Sequence, residues 1–500
     1  MHHRLPRSLP ILLALFAAAV WADINWGAAL SGNNEVPPVP TMASGYCTLT
    51  LHQPSNMITY KLRIAGLVPT AAHVHRAAVG QNGPIIFPLD HLGLVGSIGP
   101  LTAAQIIDLW TGLYYVNVHT NMWPGGEIRG QVSPEIKDPY IATLNGANEV
   151  PPNPSTATGT AYLVLNRPEN TISYEVITSG LVGGNAAHIH TAPTGMNGPV
   201  TIPLNGTPPA NLTRWCGISP PLTAGQLNDL ISGNLYVNVH TNALPGGEIR
   251  GQIGRDTFNL FQSLSGANEV PPNASMASGF TVLGINQSTL TVNYNVQTNV
   301  ANSTAGHLHT APPGQNGGVT VPYAGTGPNF AGAAVTTAAV IENLKSRALY
   351  SNVHSMAFPG GEVRGQMGQN PSVYGHSAAG VGGLIPHIGW RGLPAQGTTF
   401  TINVKDARPN GAGFLFLAFA PAAIPLSGAG LGESYLWLNL AAPIFFALPM
   451  DGTGCSELPL GVPVGPVTGI AVHFQWAVDA PGVNPGGYVT TDAVTAILQP

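Results

Sequence analysis

Charge is what this chain has least of. Of 500 residues only 17 are Lys or Arg and 22 are Asp or Glu, a charged share of 8%, where an ordinary globular domain has about 25%. The shortage removes several classes. Coiled coils need far more Glu and Lys, and charge-rich disorder needs low hydrophobicity with high net charge. This chain is 44% hydrophobic, with a net charge of −5 and a mean hydropathy of +0.17. No cluster of Lys and Arg stands ready to neutralise phosphates, which excludes a nucleic-acid surface. Cysteine is equally scarce. Cys47, Cys216 and Cys455 lie in three distant parts of the chain, so at most one bridge forms and the pairing stays open. Long apolar runs are missing beyond the first residues. The nearest candidate, residues 414–424, is interrupted by Pro421 and falls short of the ~20 residues that a membrane helix needs.

Turn residues are abundant instead. With 62 Gly and 46 Pro among many Thr, Asn and Val, the composition is that of β-structure with frequent turns. At the N-terminus, Arg4 and Arg7 precede an apolar run from Leu9 to Val20 and the small-residue ending Val20-Trp21-Ala22. Residues 1–22 thus read as a secretory signal cleaved before Asp23, which leaves no membrane span and places the chain outside the cell or in its envelope.

One unit is written three times. SGNNEVPPVP at 31–40 returns at 145–154 and 265–274; AAHVHRAAVGQNGPI at 71–85 returns at 186–200 and 305–319; LYYVNVHTNMWPGGEIRGQV at 113–132 returns from 235 and from 349. From the Glu of NEVPP to the first His of the His-x-His pair is 38, 39 and 38 residues, and from the later His of NVH to the Glu of GGE is 8 in every unit. Such constancy implies a rigid closing hairpin. Segments such as GYCTLTL, ITYKLRIAG and TISYEVITSG have strand length and pattern. One short helix is expected before each hairpin. Thr102 with Gln105, and Thr223 with Gln226, form capping boxes, whereas Thr337 keeps its place without the Gln. On a strand, residues two apart share a face, so His73 pairs with His75, Asn117 with His119, and Glu127 with Arg129.

The set NEVPP, His-x-His, GxNGP, LYVNVHT and PGGEIRGQ resembles the CHRD domain, named from chordin. The likeness covers residues 24–134, 139–255 and 258–369. It implies all-β modules of extracellular proteins without an established enzymatic activity, and hence a binding or scaffolding array whose partner is an extracellular or cell-surface protein or a polysaccharide. The cysteine-rich modules through which chordin binds a growth factor have no counterpart here. Residues 376–500 differ from the repeats. Their closing segments, with FQWAV and an ending near Thr-Asp-Ala, resemble a carboxy-terminal β-domain of large secreted planctomycete-type proteins, and they are expected to form a fourth β-sandwich.

Two chemistries suit the histidines. His73, His75 and His119, repeated as His188, His190 and His240 and as His307, His309 and His354, have the make-up of an imidazole site for copper or zinc. Alternatively, the rings bond with Asn117, Thr120, Glu127 and Arg129 in a closed structural network. The His-x-His strand also resembles the copper-side strand of Cu/Zn superoxide dismutases, but the further His and Asp ligands which that activity needs are missing; His91 stands alone. For Glu127–Arg129, Glu248–Arg250 and Glu362–Arg364 the expectation is a half-buried ion pair to the NEVPP carboxylates Glu35, Glu149 and Glu269. The PGG turn supplies positive φ and lacks the Lys and Ser of a phosphate loop. No GxSxG elbow or HExxH helix occurs, so the chain is read as non-enzymatic.

Overall fold

Alternation of apolar and polar residues along each strand decides which side of the sheet is buried. In the strand Ala71–Arg76, Ala72 and Val74 are buried in an apolar cluster while His73 and His75 point the other way. Val116 and Val118 face the same core, as do Leu49, Leu51, Leu62 and Ile128. The computed structural model describes residues 23–204, 213–325, 327–441 and 444–500. The expected signal segment, residues 1–22, lies outside them.

Each repeat is one long, all-antiparallel sheet curled around its own core, and the three sheets share one topology. In the first, the strands run in the order 85–89, 71–76, 114–119, 128–131, 24–31, 44–52, 57–65, 95–98. The chain is all-β, as its pattern indicates, with a short helix in each repeat: Ala103–Trp110, Ala224–Ile231 and Ala338–Lys345. Thr102 and Thr223 close their capping boxes with Gln105 and Gln226. Thr337 caps through its hydroxyl alone.

Register fixes the outer face of each sheet. His73 lies opposite Asn117, Asn117 opposite Arg129, and Ala71 opposite His119. The same pairs recur as His188–Asn238–Arg250 and His307–Asn352–Arg364. Where the strand pairs with its outer neighbour, the register shifts at the second His of each pair, between Val74 and His75, Ile189 and His190, and Leu308 and His309. Such a bulge re-aims a side chain.

Residues 372–497 build a fourth unit in which a five-stranded and a three-stranded sheet enclose Phe400, Ile402, Leu415, Phe474 and Trp476. A disulfide joins it to the second repeat, between Cys216 and Cys455, and leaves Cys47 as a buried thiol pushed up to about 12 by burial. Beside that bridge the fully buried Glu175 meets Arg214 and Arg391, the latter at 3.0 Å, and accepts from Asn403 at 3.2 Å. Repeats two and three are joined by the buried pair Lys345–Asp138 at 2.8 Å and by Arg167–Glu342 at 2.9 Å.

Candidate metal centre

The imidazoles of each repeat converge. One nitrogen from each of His73, His75 and His119 lies within 4.8 Å of the other two, and the same holds for His188, His190 and His240 and for His307, His309 and His354. His73 Nδ1 faces His119 Nε2 at 3.1 Å; the repeats give 3.0 and 3.2 Å. Two nitrogens bound tetrahedrally to one ion at 2.0–2.1 Å stand about 3.3 Å apart.

Backbone carbonyls set the tautomers. His75 Nδ1 donates to Gly83 O at 3.0 Å, and His119 Nδ1 donates to Pro124 O at 3.0 Å. A carbonyl can only accept, so the proton sits on Nδ1 and the Nε2 lone pair points inward. His190 and His240 use Gly198 and Pro245, and His309 and His354 use Gly317 and Pro359, in the same way. Burial lowers the pKa of all nine rings, helped in His188 and His307 by the neighbouring imidazoles, which bring both to about 4. The rings are therefore neutral near pH 7, and since His119 donates through Nδ1, its Nε2 accepts from His73 Nδ1, as His240 accepts from His188 and His354 from His307. The Nε2 atoms of His75, His190 and His309 are buried and have no hydrogen-bond partner.

Behind the rings lies a layered support. His75 stacks on Tyr115 with centroids 4.9 Å apart, and the Arg129 guanidinium lies 3.4 Å from the same ring. Tyr236 with Arg250 and Tyr350 with Arg364 repeat the stack. The expected ion pair to the NEVPP carboxylate is not what these arginines make. Arg129 donates to Asn82 Oδ1 at 3.0 Å and to Gln81 O at 2.7 Å, and Arg250 and Arg364 bind the matching loop residues. Its planar fork is satisfied by an amide and a carbonyl that the sequence places 47 and 48 residues away, in the GxNGP loop. Glu35 takes a long contact of 3.5 Å from Asn117 Nδ2 instead, and its Oε1 is buried without a partner. Burial raises the carboxyl to about 7 against the pull of Arg129, and Glu149 and Glu269 are raised to about 7 in the same way.

Glu127 serves a different purpose from Glu35. It accepts from Thr41 and Thr120, each at 2.7 Å, and so ties the NEVPP loop to the turn after His119. Glu248 holds Ser155 and Thr241 at 2.7 and 2.6 Å, and Glu362 holds Ser275 at 2.7 Å. Gly126 stands between the parts, with φ of 128°; a Cβ there would come within 2.4 Å of Asn117 Nδ2 and 2.7 Å of Glu35 Oε1. The proline and glycine carbonyls and the stacked tyrosines escape a reading based on titratable residues. Their signal is recurrence: LY before NVH, GxNG after His-x-His, and Pro five residues after the last His. His91 does not join the trio.

Among the described residues no helix is long and apolar enough to cross a membrane. The chain matches the CHRD domain over residues 26–132, 140–253 and 260–367. It is 25% identical over 247 residues to chordin of Danio rerio, which covers 45% of this chain and 25% of that protein. With chordin of Xenopus laevis it shares 27% over 255 residues, covering 45% of this chain and 26% of that protein. The chain thus spans about a quarter of the length of these curated relatives. Since three successive segments covering about two thirds of its length match, the chain belongs to the CHRD domain family.

Proposed function

We propose that the chain is a secreted, non-enzymatic scaffolding array whose repeats 24–134, 139–255 and 258–369 each bind copper or zinc through three histidines. The observation that carries the metal reading is the buried, unpartnered Nε2 of His75, His190 and His309, each beside a pair of imidazole nitrogens 3.0–3.2 Å apart. A donor set of three neutral imidazoles, two of them with carbonyl-fixed tautomers, suits Cu and Zn better than Ca or Mg, which take oxygen ligands. Sparse charge and the array of β-modules support an extracellular scaffolding role, in which repeated weak contacts to a surface protein or polysaccharide add through avidity.

The test is metal analysis and thermal unfolding of the full chain after chelation and dialysis. About one equivalent of Zn(II) or Cu(II) per histidine trio is expected, with a rise in melting temperature, because an ion that binds only the folded state stabilises it by mass action. His190→Ala should remove one equivalent. Less than about 0.1 equivalent per trio, with unchanged melting, would sink the reading.

A further inference from the structure

The edge of a sheet presents a row of unpaired N–H and C=O groups, and natural proteins blunt it with proline, charge, shortness or a cover. The three repeat sheets have six edge strands, and five are blunted. On one side, Ile85–Leu89, Val200–Pro203 and Gly318–Pro322 each carry a proline: Pro88, Pro203 and Pro322. On the other side, Val95–Ile98 has only four residues, is followed by Gly99-Pro100, and its Ser97 lines one cleft with Pro421 and Ala422 of the fourth unit. The matching strand of the second repeat, Arg214–Ile218, is held to the fourth unit: Cys216 is bonded to Cys455, and Arg214 meets Glu457 at 3.1 Å.

The sixth edge, Asn329–Val335, has none of these devices. With seven residues it is the longest of the three matching strands, and its sequence NFAGAAV contains neither charge nor proline. Phe330 anchors it in the core, while Ala331, Gly332 and Ala333 are exposed and Val335 is 81% exposed. Among the described residues its one strand partner is Thr291–Thr298. The ladder between them shows which backbone groups are free. Thr298 N donates to Pro328 O at 3.2 Å, and Thr336 N donates to Leu290 O at 2.8 Å. Bonded and non-bonded pairs alternate along an antiparallel ladder. Phe330, Gly332 and Ala334 therefore bond to the neighbouring strand, and Asn329, Ala331, Ala333 and Val335 turn their N–H and C=O groups outward.

We propose that this edge joins two copies of the chain, strand 329–335 against strand 329–335, about a two-fold axis at Gly332. An antiparallel partner must present free groups at the same spacing, bring no charge, and set small side chains against large ones. The strand meets all three conditions itself. In this register Ala331 faces Ala333 and Asn329 faces Val335, both bonded pairs; each exchanges two hydrogen bonds, about eight across the axis. Phe330 lies opposite Ala334, and Gly332 opposite its own copy. A contact of this isologous kind closes after two chains and builds no fibre. It uses none of the histidines, so it goes beyond the metal reading, and it doubles the array through which weak contacts add.

Sedimentation velocity of the full chain, with a chelator present and over about a hundredfold range of concentration, should show a monomer–dimer equilibrium. The chelator removes any association bridged by metal, so the result is independent of the histidine trios. A variant with Ala331→Lys and Ala333→Lys should stay monomeric, because position 331 of one copy faces position 333 of the other and like charges then oppose. A variant with Ala331→Glu and Ala333→Glu should stay monomeric as well, and mixing the two variants should restore the dimer. Both positions are exposed, so each variant should keep the melting behaviour of the wild type. In the wild type, hydrogen exchange at the Ala331 and Ala333 amides should slow as the concentration rises. A wild type that is monomeric throughout, a dimer that the lysines leave intact, no dimer on mixing, or exchange at these amides that ignores concentration would overturn the proposal. If either variant fails to fold, exchange in the wild type decides alone.

Discussion

The buried carboxylates offer a test that reverses with pH. Glu35 ionises near 4.5 when free and near 7 in the folded repeat, so between those values the folded chain holds a proton that the unfolded chain has released. Its contribution to stability is whole below pH 4.5 and falls as the pH rises to 7. At about 1.4 kcal/mol for each tenfold change, the ionised carboxylate costs the first repeat about 3 kcal/mol above pH 7. Glu35→Gln removes that cost and lets an amide N–H reach Asn117 Oδ1, which is buried without a partner. The imidazoles titrate in the opposite sense, because their lowered values make stability fall as the pH drops from 6.5 toward 4, but they cancel in the difference between variant and wild type. Urea and thermal unfolding of the metal-free chain at pH 4 and pH 8, followed by Trp fluorescence, measures that difference. The variant should match the wild type within about 1 kcal/mol at pH 4 and gain up to about 3 kcal/mol at pH 8, a rise on the order of 10 °C for a domain of this size. A gain that is the same at both pH values, or a loss at pH 8, would refute the account of Glu35.

Two further outcomes follow from the same geometry. Gly126→Ala forces a side chain onto a backbone with φ of 128° and into Asn117 and Glu35; it should cost about 2 kcal/mol or more, and an unchanged urea midpoint would show that the hairpin relaxes freely. Replacing Cys216 and Cys455 together by Ser opens a link spanning 239 residues, worth about 5 kcal/mol in the chain-entropy view. The fourth unit should then be cleaved by protease ahead of the repeats, and a digestion pattern identical to the wild type would count against the bridge as its tether.

Much of the fold was legible because the information is local and repeated three times. Alternating strands, turn residues and the Thr-Gln capping boxes each act over a few residues, and the helices begin where Thr102, Thr223 and Thr337 place them. The shared face of His73 with His75, and of Asn117 with His119, follows from strand periodicity alone. The partner of Arg129 was not legible. Opposite charge suggested Glu35, yet the guanidinium spends its donors on Asn82 and Gln81 and lies on Tyr115. Charge complementarity cannot be read without knowing which loop closes over which strand.

Contacts between units were invisible for the same reason. The pairs Lys345–Asp138 and Arg391–Glu175 join segments roughly two hundred residues apart, and nothing in their sequence neighbourhoods marks them. Of the three possible cysteine pairings, only the packing of the fourth unit on the second repeat selected Cys216 with Cys455. The sequence by itself determined the repeats, the all-β class, the helix caps and the facing of the histidines, because each depends on chain-local periodicity and on backbone groups that must be paired nearby. The tertiary structure alone decided that three imidazoles per repeat converge, two of them with their Nδ1 protons held by carbonyls and the third with its Nδ1 against a neighbouring ring. That convergence depends on strand register and on a bulge at the second histidine, and a single residue's slip would have turned the rings into the core.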